Sequence, residues 1–435
     1  MPKNIIFLHL ESISNTILWQ YRSELETVWW LWHNSLRFGN FHSNATSTSM
    51  AARYLLFGTT AIDDYMSFYR DYVPPPPGRS APLQEFLPKA GYTWRGYTQD
   101  YFFREEKIRG GWHHYAEPGP LFANVREFIA ESNASGKPFS FYYGNQVTHM
   151  ALDDRAKATA DSFSNRFRAG YRSLDAGVKQ LLALLVEMKV SDNTLVVAFG
   201  DHGDDMWSHG LNRGYAHGTP PYASLTWTPL LFHNRGIPAG DDDRLIQMSD
   251  LGRVVLKLAA PEFTLDFDYD AVPFGGDDVF SRQKDLIFSQ NLYALQLEHR
   301  DPEAGLFKGY SVTDGVYRLV VSSGGNRPKE GGLEFFCDRV DPTNSRNLLD
   351  FFTLSFDGSP SGFRPPPEAS AEDFATVFNP EAVRGMMARY AFMRQSLHDY
   401  VRKKEALALE DVGDRPYHVM PEKVFTVAKK RTRRD

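Results

Sequence analysis

The chain has 435 residues, 42% hydrophobic and 23% charged, the balance of a folded globular protein. Its 33 Gly and 26 Pro fall well short of the roughly 25–30% combined share that marks low complexity, which excludes a wholly disordered or fibrous chain. A formal net charge of −6 gives no reason to expect a nucleic-acid partner, and a single cysteine, Cys337, excludes an intrachain disulfide and a Cys₂ or Cys₄ metal site.

The first element is Asn4 to Leu10, a short apolar run that reads as a buried parallel strand. His9 and Glu11 break it up. The uninterrupted apolar stretch, Ile5–Leu8, is too short for the about 7–15 apolar residues of a signal peptide or the about 20 of a membrane helix, so a cytoplasmic protein is expected. Next comes a hydroxyl-rich run, Thr46-Ser47-Thr48-Ser49, ahead of a helix over Met50–Phe57 that stops at Gly58. A helix over Leu83–Ala90 leads to a strand near Tyr92–Gly96. Phe139–Tyr143 is a further strand, opened by Pro138. Leu174, Val178, Leu181, Leu182 and Leu185 recur every three to four residues, which predicts a helix over Phe167–Met188. The apolar run Thr194–Phe199 then predicts a buried strand, and Leu230–Phe232 another. Strands alternating with helices predict an α/β domain over 1–284, with a doubly wound, mostly parallel sheet flanked by helices.

After about residue 285 the texture changes. Tyr310–Thr313, Val316–Ser322 and Gly332–Cys337 are short strand-like pieces joined by Gly-rich turns, which predicts a small antiparallel sheet. A helix follows at Pro380–Lys404, with Met386, Met387, Tyr390, Met393 and Leu397 on one face. Residues 285–435 are read as a C-terminal subdomain that ends in a solvated basic tail, Lys429–Arg434.

The chemistry concentrates at strand ends. Gly200-Asp201-His202-Gly203 follows the Thr194–Phe199 strand directly. In open parallel sheets ligands bind beyond the carboxyl ends of strands, where an Asp and a His together suit a divalent transition metal better than calcium. The rival reading has Asp201 capping a turn and His202 facing solvent. Glu11 ends the first strand in the same manner and is either a third ligand or an exposed carboxylate. The hydroxyl run is either plain N-capping or a nucleophile at a helix N-terminus. His149 also follows a strand, while His217 and Arg104 stand in motifs of their own, Tyr215–Pro220 and Phe102–Arg104. Asp204, Asp205 and His209 are near enough in sequence to serve a second metal.

Taken in order, these pieces resemble the sulfatase-like branch of the alkaline phosphatase superfamily. NIIFLHLES resembles its first metal-ligand strand, TSTSMAARYLLFG its nucleophile segment, KPFSFYYGNQVTH a segment bearing a substrate-binding His, and DNTLVVAFGDHG its strand with the metal motif. LEFFCDRVDPTNSRNLLD is similar to the family's carboxy-terminal segment. Sulfatases place a Cys in the nucleophile segment and convert it to formylglycine. This chain has no Cys there, so that route is excluded. A Thr at that place is instead similar to phosphoethanolamine transferases and lipoteichoic acid synthases. Their metal set maps onto Glu11, Thr48, Asp201 and His202, with Thr48 as nucleophile and Ser49 as the runner-up.

The resemblance further implies that His149, His217 and Arg104 bind substrate. The implied cofactor is zinc or manganese rather than calcium. The implied activity is cleavage of a phosphate ester, above all a phosphodiester, with transfer of a phosphoethanolamine- or phosphoglycerol-like group through a phospho-Thr intermediate. A sulfate-ester or phosphonate-monoester hydrolase and a catalytically inactive binding protein of the same fold are the alternatives. A glycan or lipid-headgroup phosphoester is the expected partner, and the chain is compatible with an oligomer.

Overall fold

A computed structural model describes residues 4–57, 83–98, 111–114, 118–150, 160–206, 208–209, 217–259, 285–291, 308–323, 332–355, 359–365, 370, 378–412, 420 and 422–425. The chain forms two compact units. The first comprises 1–44, 48–204 and 225–284, and the second 45–47, 205–224 and 285–435.

The first unit is built on an eight-stranded sheet in the order β4-β3-β5-β1-β6-β7-β2-β8. Its strands are β1 (Asn4–Leu10), β2 (Leu36–His42), β3 (Thr93–Thr98), β4 (Trp112–His114), β5 (Phe139–Asn145), β6 (Thr194–Gly200), β7 (Leu230–His233) and β8 (Gly240–Gln247). β1 lies near the middle, parallel to β5 on one side and to β6 on the other, with Leu10 level with both Asn145 and Gly200. All residues of β1, β5 and β6 are buried, which is why they read as continuous apolar runs. β7 is the exception to the parallel pattern and runs antiparallel to both β6 and β2.

Three strands of this sheet escape a hydrophobicity reading. β2 (LRFGNFH) is only half-buried, and β4 has only the three residues WHH. β8 (GDDDRLIQ) is the last strand of the sheet, and its acidic residues blunt an otherwise open edge.

The helix Ala160–Glu187 buries Phe167, Tyr171, Leu174, Val178, Leu181 and Leu185, the stripe expected from the spacing. Its Asp175 carboxylate accepts the N–H groups of Thr27 and Val28 at 2.8 and 2.9 Å, which caps the first turn of the Glu26–His33 helix. The helix Thr48–Phe57 packs against the helix Met248–Ala259.

The second unit carries a four-stranded antiparallel sheet in the order β12-β11-β10-β9, with β9 Ile287–Gln290, β10 Gly309–Thr313, β11 Tyr317–Ser322 and β12 Leu333–Cys337. The helix Pro380–Val412 lays Met386, Tyr390, Met393, Leu397 and Val401 on this sheet. Among the described residues no helix is long and apolar enough to cross a membrane. The basic end, 429–434, lies outside the described residues.

A candidate metal centre at the strand tips

Glu11 is the first residue past β1 and Asp201 the first past β6. Because Leu10 and Gly200 are in register, the two carboxylates leave the sheet side by side. Three local devices hold them there. Ser12 adopts φ 57°, a left-handed conformation that costs a non-glycine residue about 1–3 kcal/mol, and this turn brings its N–H to Asp201 Oδ1 at 2.9 Å. A Cβ on Gly200 would fall 2.0 Å from the Ile13 carbonyl oxygen, so only glycine lets the two exits lie this close. The Thr148 hydroxyl donates to the Glu11 carbonyl at 3.0 Å and ties the exit of β5 to that of β1.

His202 follows Asp201 and is fully buried. Its Nδ1 stands 2.9 Å from the Gly203 carbonyl oxygen. A carbonyl can only accept, so Nδ1 carries a hydrogen, and in the neutral ring Nε2 keeps its lone pair for the site. Thr48 opens its helix, and its Oγ1 stands 2.8 Å from Glu11 Oε1 and 3.1 Å from His202 Nε2. A hydroxyl has one proton to give. The shorter contact assigns it to Glu11, so Thr48 Oγ1 presents a lone pair to His202 Nε2.

His9 completes the cluster. It lies two residues before Glu11 on β1, hence on the same face. Its Nε2 stands 3.3 Å from Glu11 Oε2 and 3.2 Å from Asp201 Oδ2. Asp201 Oδ2 is also 3.4 Å from His202 Nε2. Burial alone would raise the Asp201 pKa, but the facing His202 and His9 rings and the Ser12 N–H hold it well below the usual carboxylate range.

These residues fit a divalent cation. Ligand atoms of His9, Glu11 and Asp201 all lie within 4.8 Å of one another. Donors on one zinc-like ion at about 2.0–2.1 Å stand roughly 2.8–3.4 Å apart at octahedral and tetrahedral angles. The separations along the chain of contacts from Thr48 through His202 and Asp201 to His9 are 3.1, 3.4 and 3.2 Å. Two buried carboxylates in one cluster would be compensated in charge by a dication.

The structure thus brings together Glu11, Thr48, Asp201 and His202, and adds His9, which the sequence reading treats only as an interruption of an apolar run. The signal for it was the two-residue spacing from Glu11. Ser49 follows Thr48 in the same helix. His149 lies in the short helix Val147–Met150 directly after β5. His217 is half-buried and belongs to the second unit, and Arg104 lies outside the described residues. Of the residues considered for a second metal, Asp205 and His209 pair with each other, and His209 Nε2 also stands 2.7 Å from the Asn344 carbonyl oxygen. Both His209 nitrogens are thereby engaged within the second unit.

Comparison with known proteins places the fold. The family model described as Sulfatase matches residues 3–261. The uncharacterised sulfatase YdeN of Escherichia coli K12 is 26% identical over 148 residues, which is 31% of this chain and 26% of that protein. The chain thus spans about a quarter, or less, of the curated relatives it matches. A sulfatase structure from Pseudoalteromonas sp. superposes with TM-score 0.56 at 15% identity, covering 91% of this chain and 91% of that one. The lipoteichoic acid synthase LtaP of Listeria monocytogenes superposes with TM-score 0.53 at 14% identity, covering 79% and 88%. At such identities the likeness is one of fold, a fold that in this family generally binds a divalent metal. With the family model matching well over half of its length, the chain belongs to the sulfatase family, within the alkaline phosphatase-like superfamily of hydrolases.

Proposed function

We propose that the protein is a metal-dependent phosphoric ester hydrolase or phosphotransferase. It cleaves a phosphodiester through a covalent phospho-Thr48 intermediate and passes on a phosphoethanolamine- or phosphoglycerol-like group. The observation that carries this reading is the Thr48 hydroxyl, buried at the tips of β1 and β6 within hydrogen-bond distance of both Glu11 and His202. The one cysteine of the chain is Cys337, on β12 of the second unit, so a cysteine-derived formylglycine has no precursor in this segment.

Glu11, Asp201, His202 and Thr48 would hold a zinc or manganese ion. When bound, such an ion lowers the pKa of a coordinated hydroxyl and draws charge from the ester oxygen. The chain's own residues do the rest. Glu11 Oε1 already accepts the Thr48 proton at 2.8 Å. His202, with its Nδ1 hydrogen committed to Gly203, keeps Nε2 free of a proton beside the nucleophile. Thr48 Oγ1 attacks phosphorus as the bond to the leaving alcohol's oxygen breaks. Water or an acceptor alcohol then attacks the phosphothreonine and returns Thr48. The motif resemblance assigns His149 and Arg104 to the ester's anionic oxygens. Positioning and charge neutralisation are the main demands of phosphoryl transfer.

Incubation of the zinc- and manganese-loaded protein with matched phosphodiesters and sulfate esters tests this reading. Expected are turnover of the phosphodiester above the sulfate ester and a mass increment on the peptide bearing Thr48. A second reading, sulfate-ester hydrolysis by the same Thr48, is favoured by the family match and by the sulfatases among the structural neighbours. Preferential sulfate release would establish it and displace the first.

A further inference from the structure

His9 is not among the four ligands that the motif resemblance supplies, yet its surroundings are built with as much care as theirs. The side chain is buried, one residue from the end of a strand whose other residues are apolar or, at Asn4, hydrogen-bonded to a neighbouring strand. Its ring lies parallel to Phe199, with centroids 5.7 Å apart and planes 10° apart. Its Nδ1 is 2.7 Å from the hydroxyl of Tyr142, a buried residue of β5. His9 is in register with Gly144. A Cβ there would come within 2.9 Å of the Tyr142 ring and 3.1 Å of His9 Nδ1, so glycine leaves the room that the His9–Tyr142 contact occupies. Phe199, Tyr142 and Gly144 thus set the ring's plane and occupy one of its nitrogens.

The other nitrogen is left for the site. Nε2 is fully buried, lies 3.2–3.3 Å from Asp201 and Glu11, and makes no hydrogen bond among the described residues. The facing Asp201 Oδ2 makes none either. A buried nitrogen held 3.2–3.3 Å from two carboxylates needs an explanation. Two are available. Either Nε2 carries a proton and the ring is a fixed counter-cation, or Nε2 carries a lone pair and is a ligand. A counter-cation would be expected to aim its N–H at a carboxylate oxygen, as buried charges are normally hydrogen-bonded as well as paired. Here the ring is braced with Nε2 at nearly equal distance, 3.2–3.3 Å, from both carboxylates rather than against one of them.

From this we infer that His9 is an additional ligand of the divalent cation, with its Nε2 lone pair directed by an Nδ1–H donated to the Tyr142 oxygen. The inference rests on the metal-centre reading above. His9 raises the nitrogen share of the donor set from one to two, which favours zinc and other imidazole-binding transition metals over calcium and magnesium. Tyr142 is a positioning residue that acts through His9.

The test reads metal binding directly. Zinc affinity by competition with a chromophoric chelator and the visible spectrum of the cobalt-loaded protein are measured for the wild type and for His9→Ala, His9→Asn, Tyr142→Phe and Glu11→Gln. Circular dichroism confirms the fold, and His9→Asn guards against collapse of the site in His9→Ala. Expected is a loss of zinc affinity of about a hundredfold or more for both His9 variants, and of about tenfold for Tyr142→Phe. The cobalt spectrum should change on loss of His9 and return in part on adding imidazole to His9→Ala. Unchanged or tighter binding in both His9 variants, alongside weakened binding in Glu11→Gln, overturns the role of His9 and makes it a counter-cation. Wild-type affinity in Glu11→Gln overturns the metal centre itself, and the role of His9 with it.

Discussion

Both units of the molecule bury charge, and they do so in opposite ways. In the second unit two buried carboxylates, Asp338 and Glu405, each meet a basic side chain of their own chain. Asp338 lies 2.9 Å from the Arg318 guanidinium, is bonded by Asn344 Nδ2 at 2.8 Å, and Arg318 itself is fully buried. Glu405 receives Lys308 Nζ at 3.1 and 3.2 Å, the Tyr310 hydroxyl at 2.7 Å and the Met420 N–H at 2.8 Å. In the first unit, Asp201 has only His9 and His202 as ion-pair partners among the described residues, and their ring nitrogens converge on the same side as its oxygen. A buried carboxylate whose compensation is complete is architecture. One that faces only imidazole rings is what the proposed metal centre would use as a socket for a cation.

The comparison breaks first at Thr48. Thr48→Ala removes the nucleophile but leaves His9, Glu11, Asp201 and His202 in place. It should therefore lower kcat/KM by about a thousandfold or more, equivalent to roughly 4 kcal/mol, while most of the bound zinc is retained. No covalently modified peptide should be found by mass spectrometry. Unchanged turnover would remove the covalent route while leaving the socket intact.

How much of this contrast could be read from residues alone depends on where each one sits. Glu11, Asp201 and His202 stand just past apolar runs, and Thr48 just before a helix, so their positions announce themselves. His9 sits inside a run that the eye takes as core, and only its two-residue spacing from Glu11 puts both on one face. The strand β8 was illegible because an exposed edge carries charge where a central strand carries Val or Ile. The strand β9 (IFSQ) has four residues and too little pattern to stand out. The Arg318–Asp338 and Lys308–Glu405 pairs were invisible for a different reason. Partners 20 and 97 residues apart leave no local signature.

The second unit should fail differently when its pairing is broken. Arg318→Met leaves Asp338 buried beside Asn344 without its cation, which should cost about 3–5 kcal/mol of stability, measured by urea denaturation. Replacing both partners by apolar residues should recover much of that loss. Zinc content of the folded protein should stay at the wild-type level, because none of the proposed ligands is touched. A variant that lost its metal before it lost its fold would erase the distinction between the two regions.

Removing the metal probes the same distinction from the other side. If the socket binds zinc in the folded state only, saturation at 100 to 1,000 times Kd stabilises by about 2.7–4.1 kcal/mol. Dialysis against a chelator should lower Tm and abolish turnover, and zinc or manganese should restore both. In Glu11→Gln the chelator should produce little further shift. The Arg318→Met variant, though less stable throughout, should show the full chelator effect, as expected for sites without shared partners.

The smallest effect is expected at Cys337, a buried titratable group of the second unit that carries no charge. Burial pushes its thiol from an ordinary 9.0 up to about 11. At pH 8 the thiolate fraction is therefore about a hundredfold lower than for an unburied cysteine, and alkylation of the folded protein should be slower than that of the urea-unfolded chain by at least this factor. Because the folded value lies above the unfolded one, this group's contribution to stability is fully present below pH 9 and is lost as the pH rises from 9 to about 11. Cys337→Ala should cost about 1 kcal/mol and leave kcat/KM and metal content within about twofold of the wild type. A thiol that reacts readily at neutral pH, or a variant that loses turnover, would mean that the second unit holds chemistry as well as structure.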